Sequence, residues 1–417
     1  MKKTVAMIIS AVMLAGCAWQ GSGAKTSVQT RSVENMSTAE APTAVRYLPN
    51  EMPQYGALNF GEQRAVWLTY MDMNGLFAED ADSFSAKMSG ALDLIAETGL
   101  NTVYLHVRAF ADAYYPSELY PPAKSLPADS EGRPLYDPLK ITVRLAHERG
   151  LSVHAWINPL RCETKADMER LQGYELYEWF AEPEVYPEYV SSPEGTPFYW
   201  LDPAVPEVRE YIAAGVRELC EYDIDGLHID DYFYPTTDPS FDSETYAESG
   251  TELPLAEWRM ENCTEMVKLI HDTVKSADEE MLFGVSPQGN IGNNYEFMFA
   301  DVKRWCAEDG FIDYIAPQLY FGYENTVCPF SETLAEWRAL CTGENVALVC
   351  GLGLYKTEGD SAEEEFVSEQ GIIARQIKDA LSAGCEGFAV YSFGQLSAEK
   401  DTRSCIEREC IMTMLTK

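Results

Sequence analysis

Asp230 and Asp231 sit within the run Gly226-Leu-His-Ile-Asp-Asp-Tyr-Phe-Tyr-Pro235, and this acidic pair is the strongest chemical signal in the chain. Breaking a glycosidic bond takes one carboxyl group to protonate the leaving oxygen and another to act as nucleophile or base. If the run begins as a strand, Leu227 and Ile229 face one side, and His228 and Asp230 face the other. Asp231 then points away from Asp230 unless the chain turns inward at the strand end. The second carboxyl group has several candidates. Glu324 follows Ala316-Pro-Gln-Leu-Tyr320 on a loop, and Asp72 and Asp112 occupy comparable loops earlier in the chain. Asp230 is expected to be ionised, with Arg108 and His228 as partners, because an unpartnered buried carboxylate costs several kcal/mol. Asn158 and Gln318 can each donate and accept, as sugar hydroxyls require. Trp67, Trp156, Tyr232 and Tyr320 offer flat faces for pyranose rings.

Two other chemistries stay open on the same residues. His106, His154 and His228 fall on one phase of consecutive strand-like runs and could converge on a zinc ion, as in a metal-dependent deacetylase or amidohydrolase. A glycan-binding protein without turnover would keep the aromatic and amide residues and lack the second carboxylate. The carboxylate reading calls for no metal and no cofactor.

Positioning such residues requires a particular architecture. Strand-like and amphipathic runs alternate from residue 64 onward, the signature of an α/β chain. Eight strands are expected, at 64–70, 102–108, 152–158, 226–231, 282–288, 314–320, 347–355 and 387–393. Helices are expected between them, two of them ending at Gly99 and Gly150. In four of these strands one phase is aliphatic and the other polar or aromatic, whereas an ordinary buried parallel strand is apolar on both faces. Val103, Leu105 and Val107 stand against Tyr104, His106 and Arg108; Val153, Ala155 and Ile157 stand against His154, Trp156 and Asn158. The expected fold is therefore a (β/α)₈ barrel whose interior carries a site at the C-terminal ends of its strands. Long insertions at 161–199 and 236–254 leave that same face and wall a groove.

Several runs carry a family resemblance. Arg64-Ala-Val-Trp-Leu, Asn101-Thr-Val-Tyr-Leu-His-Val-Arg108, His154-Ala-Trp-Ile-Asn-Pro159, Trp200-Leu-Asp-Pro203, Gly284-Val-Ser-Pro287, Ala316-Pro-Gln-Leu-Tyr320 and the Asp-Asp-Tyr-Phe-Tyr-Pro run together resemble the glycosyl-hydrolase-like barrel family of bacterial lipoproteins. The resemblance covers most of residues 60–395. It implies a TIM barrel and glycosidase activity, with cell-wall glycan as one candidate substrate. Gln288 and Phe321 depart from what the resemblance implies, a Phe and a Trp at these places.

The ends of the chain bear on location. Met1-Lys2-Lys3, a short apolar core and Leu14-Ala15-Gly16-Cys17 resemble the signal and lipobox of bacterial lipoproteins. The resemblance implies a diacylated Cys17 that anchors the mature protein to the outer face of a membrane. Residues 18–58 read as a flexible tether, 59–400 as the barrel and 401–417 as a C-terminal tail. The formal net charge of −36 disfavours a nucleic-acid partner, because such a surface releases no counterions from phosphates. Besides Cys17 the chain has ten cysteines and no Cys-x-x-Cys pair, and several sit in apolar stretches as small buried hydrophobes.

Overall fold

A computed structural model describes residues 57–343, 345–358 and 363–416. Cys17 and almost all of the tether expected at 18–58 lie outside the described residues. Eight parallel strands close into a barrel: β1 (Gln63–Leu68), β2 (Thr102–Arg108), β3 (Ser152–Ile157), β4 (Gly226–Ile229), β5 (Leu282–Val285), β6 (Tyr314–Ile315), β7 (Ala347–Gly353) and β8 (Gly387–Tyr391). Each lies beside its sequence neighbour, and β1 pairs with β8 through Gln63↔Gly387 to Trp67↔Tyr391 to complete the ring. The fold is the expected (β/α)₈ arrangement.

The two phases read from the sequence become two cores. Val103, Leu105, Val153, Ala155, Leu227 and Ile229 pack outward against the helices. Trp67, Tyr104, Trp156 and Tyr314 fill the barrel itself with Ala65, Ala316, Val349 and Ala389. Large rings fit there because small residues face them. A Cβ on Gly284 would lie 1.9 Å from Cζ of Tyr314, so only glycine admits that ring. Helix ends follow local chemistry: Asp80 and Asp137 cap helices Ala81–Glu97 and Pro138–His147 by accepting from Ser83 N and Lys140 N. Gly99 and Gly150, just past those helices, take left-handed φ values of 87° and 68°.

Every strand but β2 stops short of its expected end, β5 and β6 by the most. Pro287 and Pro317 have no N–H to give to a ladder, so pairing lapses before them in β5 and β6. Single bridges Gln288↔Gln318 and Gln318↔Gly351 carry the alignment further. After β3 the chain forms a small antiparallel sheet from Arg161–Thr164, Val190–Ser191 and Phe198–Leu201. The segment read as a C-terminal tail supplies the outer helix that follows β8, Arg403–Leu415. That helix buries Cys405, Glu407 and Ile411, and Glu407 accepts from the amides of Gly371 and Ile373.

Candidate active site

Below the barrel mouth lies a buried, hydrogen-bonded floor. Trp67 Nε1 donates to His228 Nε2 at 3.1 Å. The proton of His228 is therefore on Nδ1, which donates to the Tyr314 hydroxyl at 2.9 Å. Tyr314 in turn has a hydroxyl proton for His154 Nδ1 at 2.8 Å. Tyr104 stacks on His228 with centroids 4.1 Å apart, and His106 stacks on Trp156 at 3.7 Å. Burial holds all three histidines below the ordinary imidazole range, His154 at about 4, so the floor is neutral. This corrects two expectations. His228 is not a substrate contact: it is wholly buried, with both nitrogens occupied by protein. Nor do the three histidines converge on one point; among the described residues no group of three or more His, Cys, Asp or Glu side chains could hold a metal ion.

Above this floor stand the two aspartates. The β4 ladder ends at Ile229, which frees both side chains from strict alternation. Burial raises the Asp230 carboxyl well above its usual range and the charge of Asp231 adds to the shift; Arg161, the Tyr232 amide and the Trp156 indole pull weakly the other way. Asp230 Oδ1 is buried without a hydrogen-bond partner. Asp231 is half-buried, and burial raises it too, but the side-chain amides of Gln318 and Gln288 donate to it and Arg161 opposes the shift. Both carboxyl groups are therefore biased toward the proton-bound form, Asp230 the more strongly. The expectation of an ionised Asp230 partnered by Arg108 and His228 is overturned, because burial and a like-charged neighbour outweigh the single nearby cation.

That cation is Arg161, which sequence reasoning missed. Its guanidinium carbon lies 3.9 Å from the Tyr232 ring centroid and 4.4 Å from that of Phe110, and its Nε donates to Ala109 O at 3.2 Å. Arg108 was expected in this place. The β2–β3 register shifts between His106 and Arg108, and one extra residue reverses the alternation. Arg108 consequently leaves the barrel. It stacks on Tyr120 at 4.3 Å beneath helix Pro206–Leu219, where a Cβ on Gly215 would lie 2.3 Å from its Nη1. The signal for Arg161 was its place two residues after Asn158-Pro159, where β3 opens onto the mouth.

The remaining expected residues divide. Gln318 donates to Ser286 O at 3.2 Å beside Asp231, and Tyr320 feels the charge of both aspartates. Asn158 is buried at the end of β3 with Nδ2 on Ala109 O, the carbonyl that also accepts from Arg161. Tyr232 lies over Arg161 and against Trp200. Trp67 is almost wholly buried, so it forms floor rather than an open platform. Glu324 is exposed, its amide bonded to Glu365, and no contact joins it to the aspartates. Asp72 closes a capping box, accepting from Thr69 N and Oγ1 at 2.8 Å. Asp112 is buried and accepts from Phe110 N. A further carboxyl group went unremarked: Glu163, two residues beyond Arg161, is pushed up to about 7 by burial and the charge of Asp112, and pairs with Arg170 at 3.0 Å.

Residues 62–368 match the model of the family described as glycosyl hydrolase-like 10. The chain is 30% identical to "Glycosyl hydrolase YngK" of Bacillus subtilis over 341 residues, covering 74% of this chain and 64% of that protein, less than two thirds of its length. It is 31% identical to "Glycosyl hydrolase DigH" of Escherichia coli over 306 residues, 68% of this chain and 69% of the relative. Among solved structures, the glycoside hydrolase domain of PgaB from Bordetella bronchiseptica superposes with a TM-score of 0.57 at 15% identity, covering 84% of this chain and 99% of that one, a likeness of fold. By the extent of its family match and the identity of its relatives, this chain is a member of the glycosyl hydrolase-like 10 family.

Proposed function

We propose that the protein is a glycoside hydrolase that cleaves an extracytoplasmic polysaccharide, with cell-wall glycan as the leading substrate, while anchored to a membrane through a lipid on Cys17. One observation carries the enzymatic reading: two consecutive carboxyl groups stand at the barrel mouth, where burial raises both, Asp230 more strongly than Asp231. A general acid must keep its proton at working pH and still face a group that favours positive charge on the sugar. Asp230, the more strongly raised of the two, fits the first need, and Asp231 beside it the second. Around them Gln318, Gln288 and Asn158 offer amides for hydroxyl groups, and Tyr232 and Tyr320 offer rings. The names of the relatives, both glycosyl hydrolases, support the same reaction class. The lipid anchor rests on the run Leu14-Ala15-Gly16-Cys17.

The test is a parallel digestion of cell-wall glycan stripped of peptides, chitin oligomers and neutral polysaccharides, with mass spectrometry of the products. Cleavage of at least one glycan, abolished in Asp230→Asn, is the expected result. Binding of a glycan with no turnover of any would replace the enzyme with a binding protein. For the anchor, Cys17→Ser should move the protein from the membrane fraction to the soluble one; a variant still membrane-bound in detergent-free buffer would place the attachment elsewhere.

A further inference from the structure

Two thiols meet in the outer core. Cys306 lies in helix Val302–Ala307, Cys341 follows helix Phe330–Leu340, and their side chains hydrogen-bond each other. The backbone around them holds the two segments together. Gly343 N donates to Cys306 O at 3.0 Å, Asn345 Nδ2 donates to Asp309 Oδ1 at 3.2 Å, and Ala347 N donates to Asp313 O at 2.9 Å. Gly343 permits this approach, since a Cβ there would already lie 3.1 Å from Cys306 O. Residues 306–313 and 341–347 therefore run side by side, tied at both ends.

Other thiols face different groups. Cys162 and Cys263 donate to the carbonyls of Leu160 and Met298, Cys220 Sγ meets Met281 Sδ at 3.9 Å, and Cys405 accepts from Arg408. Cys306 is wholly buried and Cys341 is 7% exposed, so an oxidant reaches the pair from the Cys341 side. The hydrogen bond from Cys306 and the charge of Arg338 hold the Cys341 thiol below its ordinary range, which favours the thiolate, the attacking species. Between the two cysteines lie β6, at two residues the shortest strand of the barrel, and Gln318 and Tyr320 beyond it. Pro317 stops the β6 ladder. A segment with so few ladder bonds gains from a covalent tie at its flanks, because the cross-link removes entropy from the unfolded chain.

We infer that Cys306 and Cys341 form a structural disulfide outside the cytoplasm, closing the segment that carries β6, Gln318 and Tyr320. The inference does not depend on the glycosidase reading. Such bridges persist in the extracytoplasmic space, where the proposed anchor at Cys17 holds the chain. The oxidant is another disulfide, that of a thiol–disulfide exchange protein or of oxidised glutathione. The Cys341 thiol gives up its proton and attacks one sulfur of that disulfide. The S–S bond breaks, and its electron pair leaves on the other sulfur as a thiolate. The Cys306 thiol then gives up its proton and attacks Cys341 Sγ in the mixed disulfide, releasing the second thiolate. The two thiolates take up the two protons. Two protein thiols are thereby oxidised by two electrons, and the oxidant's disulfide is reduced to two thiols.

The full chain is equilibrated in a buffer of reduced and oxidised glutathione, quenched with excess N-ethylmaleimide in denaturant, digested and mapped by mass spectrometry. The expected product is a peptide joining Cys306 to Cys341, with the chain carrying two maleimide adducts fewer than the fully reduced protein. Maleimide or glutathione on both cysteines, or a bridge from either to a different cysteine, overturns the inference. Thermal unfolding gives the structural readout. Reduction should lower the melting temperature of the parent by about 5 °C and leave that of Cys341→Ser unchanged. An oxidised parent that melts together with the reduced one would sink the structural role. The peptide map uses the parent alone, so it decides the matter even where Cys341→Ser fails to fold.

Discussion

At the residue scale the site turns on how burial acts on two neighbouring carboxyl groups. Burial and the charge of Asp231 raise Asp230 above its unfolded value, so the sign of its effect on stability is set. Its contribution is fully present below the ordinary carboxylate pKa and is lost as pH rises through the raised value of the folded state. Asp230→Asn removes that loss. The melting temperature of the variant relative to the parent should therefore climb as pH rises above the ordinary carboxylate range; a constant difference would mean that the carboxyl of Asp230 is not raised in the folded protein. In turnover the same substitution should lower kcat by at least ~10³ with little change in glycan affinity. A variant with near-parental turnover on a glycan the parent cleaves would show that the chemistry lies elsewhere.

At the element scale two arginines exchange the roles that alternation assigns them. The irregularity in β2 sends Arg108 beneath helix Pro206–Leu219, near Glu218, while the turn after β3 brings Arg161 over Tyr232. Arg108→Met should cost roughly 3 kcal/mol of stability, because Glu218 loses a buried partner charge, and should leave the KM of a cleaved glycan unchanged. Arg161→Met should do the reverse. It removes a cation that opposes the raised pKa of both aspartates, so the alkaline limb of the pH–rate profile should move to higher pH and kcat should fall. Equal stability losses with unchanged kinetics in both variants would refute this division.

For the whole molecule, the helix Arg403–Leu415 is part of the barrel's outer ring. Its Leu415 side chain packs over Gly99, just past the helix that follows β1. It therefore ties the end of the described chain to its beginning. Truncation after residue 400 should destabilise the barrel by at least ~5 kcal/mol, from buried Ile411 and Cys405 and the two amide bonds to Glu407. Thermal unfolding of the truncated chain with the parental midpoint would show that the helix is dispensable.

The limits of sequence reading follow from the same facts. Local pattern alone determined the eight strands, the helix ends at Gly99 and Gly150, the two-phase barrel wall and Asp230 at the mouth, because period-two alternation and chain breakers act within a few residues. It could not determine which way Arg108 points, since one extra residue in a strand reverses every side chain after it and leaves no mark in composition. Nor could it show that His228 is floor and not site, that Glu324 is exposed, or that residues 403–415 close the ring, because each depends on partners distant in sequence, from Glu407 on Ile373 to Leu415 on Gly99. The protonation of Asp230 belongs wholly to the tertiary structure: a carboxyl group holds its proton only where the surrounding chain has excluded water and placed a second charge beside it.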